Sequence, residues 1–179
     1  MAYNLKDVFY LDVSVDSTTG TGGSTTQLDL SSYIDPIARK GSKAQGLAIY
    51  KVQTTFTENN NNVVDKAQDG SMRYALIAGL GVGNQTGISF TEDTLSAAND
   101  LCVAAGDYYG PATADSAANG MFVMPDQDVP YIIVRDNACL CVDVDDAFAT
   151  TITASMRLSC AVVTLDQSTL NQLLRTQTV

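Results

Sequence analysis

The chain has 179 residues, 45% of them hydrophobic, and sets 20 acidic against 10 basic side chains for a formal charge of −10. That length supports one domain (1–179) with its own core, and no apolar run approaches the ~18 residues of a membrane-spanning helix, so a soluble domain is expected. The acidic balance argues against direct nucleic-acid contact, which needs clustered Lys and Arg. The absence of histidine removes the Ser/His/Asp and Cys/His nucleophile systems, so no enzyme is expected.

In chain order, the N-terminal MAYNLKDVFYLDVSVDS lacks the apolar core and cleavage site of a secretory signal, so synthesis and retention in a cytoplasm, or assembly there, is expected. The first strand is predicted over Asp7 to Asp16, with Phe9, Leu11, Val13 and Val15 on its buried face. Ser17 to Thr26 (STTGTGGSTT) reads as a polar loop, followed by a short strand from Gln27 to Ile34 with Leu28 and Leu30 inward. Asp35-Pro36 ends it. A long central strand is predicted from Gly46 to Glu58, with Ala48, Tyr50, Val52, Thr54 and Phe56 on one face. Ser71 to Ala78 and Ile88 to Phe90 read as strands separated by the glycine-rich GLGVGNQTG, taken as a flexible hairpin loop because it lacks the Lys and Ser/Thr of a phosphate loop.

A helix is predicted from Thr91, with Glu92 and Asp93 in its first turn, Leu95, Ala98, Cys102 and Ala105 at helical spacing, and Gly106 as its end. Asp107 to Gly120 reads as a small-residue loop. Strands then follow at Met121 to Met124, Tyr131 to Arg135, Cys139 to Val144 and Thr150 to Leu165, with hairpin turns at Asp136-Asn137 and Asp145-Asp146. In the last strand Ile152, Ala154, Met156, Leu158, Cys160 and Val162 share a face. Asp166 caps a short tail helix with an apolar stripe of Leu170, Leu173 and Leu174. About eight or nine strands, one or two short helices and no strand–helix alternation define an all-β chain, an antiparallel sandwich or barrel.

Few constellations carry chemistry. Asp126, Asp128, Asp143, Asp145 and Asp146 are the densest carboxylates; they are candidate Ca²⁺ ligands, though turn and surface positions explain them as well. Carboxylate-pair glycoside hydrolysis is disfavoured by the absence of Trp platforms. Arg39, Lys40 and Lys43 form the one basic cluster, either a solvated loop or a polyanion contact. Cys102, Cys139, Cys141 and Cys160 read as buried free thiols, with a bridge from Cys160 to Cys139 or Cys141 as the alternative. Cys139 and Cys141 are expected to point to opposite sheet faces, so neither a zinc nor another cofactor site is expected.

The opening strand, the connection QLDLSSYIDPIARKG leading into GLAIYKVQTTFT, and the closing strand TITASMRLSCAVVTLDQ before a short tail resemble, in architecture and over nearly the whole length, the single jelly-roll capsid proteins of icosahedral viruses. The resemblance rests on no diagnostic motif. It implies a sandwich of eight antiparallel strands that assembles with copies of itself, and with other virion proteins, into a closed shell in the host cytoplasm. In that setting the tail, residues 166–179 with Leu170, Leu173 and Leu174, is expected at the interface between subunits. The chain departs from the family pattern in lacking a basic N-terminal arm, having only Lys6 there, which is closer to shells that enclose an internal membrane or delegate genome contact. Minor capsid, spike and tail-decoration proteins share the size. The alternative from another class is a β-sandwich surface module that binds carbohydrate or protein.

Overall fold

The computed structural model describes residues 7–17, 22–35, 43–58, 62–63, 74–82, 101–110, 118–126, 128–144 and 151–177. Among them are ten strands and one helix: β1 Phe9–Asp16, β2 Gly22–Asp29, β3 Ala44–Glu58, β4 Asn62–Val63, β5 Tyr74–Val82, β6 Cys102–Gly110, β7 Ala118–Val123, β8 Tyr131–Ile133, β9 Asn137–Val144, β10 Ile152–Leu165 and α1 Gln167–Thr176. They form an all-β antiparallel sandwich. The first sheet runs β1-β10-β3, with β4 and β8 both pairing β3; the second runs β2-β9-β5-β6-β7. No helix of the described residues is long and apolar enough to cross a membrane.

Period-two burial builds the core. On β1, Val13 and Val15 are buried while Asp12, Ser14 and Asp16 face water. They meet Met156 and Ala154 across the β1–β10 ladder, and this face packs on Ala138, Leu140 and Val142 of β9 and Ala104 of β6. Of the residues expected on buried faces, Val52, Ile152, Met156 and Leu158 are buried, Phe9, Leu11 and Phe56 pack on the core from its margin, and Ile133 of β8 and Val142 of β9 are buried with them.

The expected single face of β3 is corrected by a bulge. Lys51 pairs with Ser159 but Ile49 pairs with Cys160, so Tyr50 is the extra residue opposite that step. One inserted residue moves every side chain beyond it to the other face. Val52 therefore lies in the inter-sheet core together with Leu47 and Ile49, whereas Ala48 and Tyr50 join Ala161 on the outer face. The end of β10 shows the complementary change, since Val162 is 40% exposed while Ala161 and Leu165 of the opposite face are buried.

Helix α1 causes that change. Leu170 sits with Ala44, Val134 and Leu165, and Leu173 and Leu174 pack on the same cluster. Asp166 is the N-cap, its carboxylate accepting from the Thr169 amide at 2.8 Å. At the other end the buried Gln177 donates through Nε2 to the Ile132 carbonyl at 2.6 Å, and its Oε1 accepts from the Val134 amide at 3.0 Å. A side chain thereby substitutes for a neighbouring strand along β8.

Five further expectations are corrected. The polar loop 17–26 is in part strand: Gly22–Thr26 begins β2, because ladder hydrogen bonds to β9 need no apolar side chains and an edge strand tolerates polar ones. Leu30 is buried just beyond that strand, where Tyr33 stacks on Phe9 with ring centroids 4.9 Å apart. The helix predicted from Thr91 is strand from Cys102 onward, residues 91–100 lying outside the described residues. Val103, Ala104 and Ala105 are all buried, and a strand buried on both faces loses the alternation that distinguishes it from a helix. The small-residue loop 107–120 contributes Asp107–Gly110 to β6 and Ala118–Gly120 to β7. Of GLGVGNQTG, Gly79–Val82 belong to β5, while residues 83–87 and the strand predicted over 88–90 are outside the described residues. Asp136-Asn137 is no hairpin turn, since it carries the chain from β8 in one sheet to β9 in the other.

Candidate functional site

Each face of a strand pair is read rung by rung, and the outer face of the first sheet gives an ordered polar surface. Across β1, β10 and β3 the rungs are Tyr10–Ser159–Lys51, Asp12–Arg157–Gln53, Ser14–Ser155–Thr55 and Asp16–Thr153–Thr57. The short side chains of the third rung lie below the long ones of the second. The result is a trough of about 550 Å³ lined by Asp12, Ser14, Gln53, Thr55, Ser155 and Arg157.

Its wall is an ion pair. Arg157 donates from Nε to Asp12 Oδ1 at 2.7 Å and from NH2 to Oδ2 at 3.3 Å, a two-pronged contact between exposed groups. The hydrogen bond from Arg157 holds the Asp12 carboxyl below its ordinary range, and the same bond raises the guanidinium. One rung further, Thr153 donates to Asp16 Oδ1 at 2.6 Å. Beside Arg157, Tyr10 is 64% exposed on the same face of β1.

The residues singled out from sequence fall elsewhere. The Asp126 carboxylate accepts from the amides of Asp128 and Val129. Asp128 is exposed, Asp143 is half-buried on β9 beside Gly23, and Asp145 and Asp146 lie outside the described residues. Among the described residues no three His, Cys, Asp or Glu side chains gather as a metal site. Lys43 is exposed; the Asp166 carboxyl is lowered chiefly by its hydrogen bond from the Thr169 amide and only in the last place by Lys43, while Arg39 and Lys40 lie outside the described residues.

Leu170 is 1% exposed against its own sandwich, so its expected role between subunits is corrected; the chain's own sheet supplies the apolar surface the short helix needs. Cys139 and Cys141 are also corrected, because residues two apart on a strand share a face and their sulfurs lie 3.4 Å apart. Both are buried opposite Gly81 and Gly79 of β5, which place no Cβ beside them. All four cysteines are reduced thiols; burial pushes the Cys160 thiol up to about 12 and raises Cys102.

Sequence reasoning missed the trough. Its signal was the alternation of polar side chains on β1, β3 and β10, but the ladder pairs residues 145 apart in the chain. No protein-family model and no curated protein matches this chain.

Proposed function

We propose that the chain is a structural virion protein of the single jelly-roll kind, which assembles with copies of itself into an icosahedral shell in the host cytoplasm. The observation that supports this reading is the pairing scheme. With β4 and β7 set aside, eight strands remain, and the first pairs with the last (β1·β10), the second with the seventh (β2·β9), the third with the sixth (β3·β8) and the fourth with the fifth (β5·β6). That pairing supports a jelly roll, in which an antiparallel ribbon so paired wraps around a barrel, an architecture shared by capsid and lectin domains. A histidine-free chain carries no imidazole to serve as base or ligand, which favours the structural reading within that architecture.

The contact proposed between copies lies at the crossover from β7 to β8. There Met124 and Val129 are 59% and 75% exposed, beside Pro125 and Pro130, and the Asp126 carboxylate accepts from the Val129 amide. Apolar side chains exposed to water gain free energy when a neighbour covers them. Other virion proteins, or an internal virion membrane, are further partners on this reading.

The test is light scattering after size exclusion, with negative-stain microscopy, on the full chain. Capsomers or shells are expected for the native protein, with loss of assembly and an unchanged melting curve for Met124→Ser/Val129→Ser. A native chain that stays monomeric across concentration and salt refutes the shell reading.

A further inference from the structure

We propose that the trough on the outer face of the first sheet binds a neutral saccharide through a pair of adjacent hydroxyl groups. The volume, about 550 Å³, falls within the range of roughly 300–1,000 Å³ typical of small-molecule sites. Its floor is the rung of small hydroxyls Ser14, Ser155 and Thr55, and its wall is Asp12, Arg157 and Gln53.

Charge selects the ligand class. Asp12 and Arg157 neutralise each other in a closed pair, so the trough presents no net charge to attract an ion. An anion would have to displace Asp12 in the field of a chain of charge −10, and a cation would have to displace Arg157. Hydrogen-bonding capacity nevertheless remains. The pair uses two of the five guanidinium N–H donors and leaves carboxylate lone pairs unused, while Gln53 adds an amide that both donates and accepts. A group that donates and accepts at once fits this mixture, and two adjacent hydroxyls span neighbouring donors and acceptors without separating the ion pair. Tyr10, one rung away and 64% exposed, offers a flat ring with a polar tip on which the apolar face of a sugar ring can lie.

The inference is independent of shell assembly: a monomer that binds saccharide upholds the site and sinks the shell reading, and a shell that binds none does the reverse. Saturation-transfer NMR on the full chain, with methyl glycosides of glucose, galactose and mannose and with N-acetylneuraminic acid, tests it. Transfer from at least one neutral glycoside is expected, with a dissociation constant on the order of 1 mM, as suits a few hydrogen bonds exchanged with water. Ser155→Phe, which fills the trough from an outward position, should abolish transfer, and Gln53→Ala should weaken binding by about tenfold, the loss of one hydrogen bond. Unchanged circular dichroism in both variants separates lost binding from lost fold. Silence from every neutral glycoside, binding of the acidic sugar alone, or transfer unaffected by Ser155→Phe overturns the proposal. So does concentration-dependent self-association that Ser155→Phe removes while no glycoside binds, which makes the trough a contact for a second copy.

Discussion

Leu170→Ala tests the placement of the tail. Leu170 is 1% exposed, enclosed by Ala44, Val134 and Leu165, with Leu173 and Leu174 at the margin. Removing a buried leucine side chain costs about 2–5 kcal/mol, and the lower half applies where the surroundings can settle into the space. A ten-residue helix on a sheet can settle, but Asp166 at its start and Gln177 at its end both hold it in place, so about 3 kcal/mol is expected. In a protein of this size each kcal/mol moves the melting temperature by about 2–4 °C, which gives a fall of about 6–12 °C by calorimetry. Gln172→Ala, on the exposed side of the same helix, should stay within about 0.5 kcal/mol of the native protein. An unchanged melting temperature for Leu170→Ala, together with lost assembly, would place this leucine against a neighbour and refute the packing described.

Gly46→Ala should destabilise by about 1–3 kcal/mol in urea unfolding, since an added Cβ would lie 3.0 Å from Leu165 Cδ1 and 3.1 Å from the Ile133 carbonyl oxygen. Gln177→Ala should cost about 2 kcal/mol by the same measurement, because it leaves the Val134 amide and the Ile132 carbonyl without the side chain that now satisfies them. Ellman's reagent near neutral pH should titrate Cys139, Cys141 and Cys160 slowly in the native protein and at once when it is unfolded, because all three are buried and burial holds the Cys160 thiol up to about 12. Asp12, Asp29 and Asp166 have folded pKa values below the ordinary 3.8, so their contribution is present above that value and disappears as pH falls through the folded ones. Melting temperature should therefore be level from neutrality into mild acid and drop below pH 3.8, less steeply in Asp166→Asn, which keeps a capping oxygen but cannot titrate.

How far the strands were legible depends on how many faces they bury. β1 and the first half of β10 bury one face, and their period-two pattern gave both extent and orientation. β6 buries both faces around Val103–Ala105, and there the pattern read as a helix. β2 has no apolar run at all over Gly22–Thr26; the partner strand β9 makes it a strand, and a partner more than a hundred residues away leaves no local trace. The bulge at Tyr50 was illegible for another reason. Alternation continues through the sequence on either side of it, and only the pairing with Ser159 and Cys160 shows that one residue has no opposite number. The trough was hidden in the same way, since Asp12 and Arg157 become neighbours only once β1 lies beside β10.

The two halves of the first sheet's outer face have opposite chemistry, and this decides which surface a neighbouring copy can use. At the β8 end Ala44, Ala48, Ala161 and Leu165 are covered by α1 or one another, so little apolar area remains there for a partner. At the other end the rungs from Tyr10 to Thr57 are polar, and a subunit laid over them would strip water from an ion pair and several hydroxyls. Met124 and Val129, by contrast, gain from being covered. On the proposed assembly through the β7–β8 crossover, the trough takes no part in the contact between copies. In consequence Ser155→Phe should assemble as the native chain does, while Met124→Ser/Val129→Ser should not, as read by light scattering of the two variants at equal concentration. The reverse outcome, a trough variant that fails to assemble and a crossover variant that succeeds, would show that copies meet through the polar face after all.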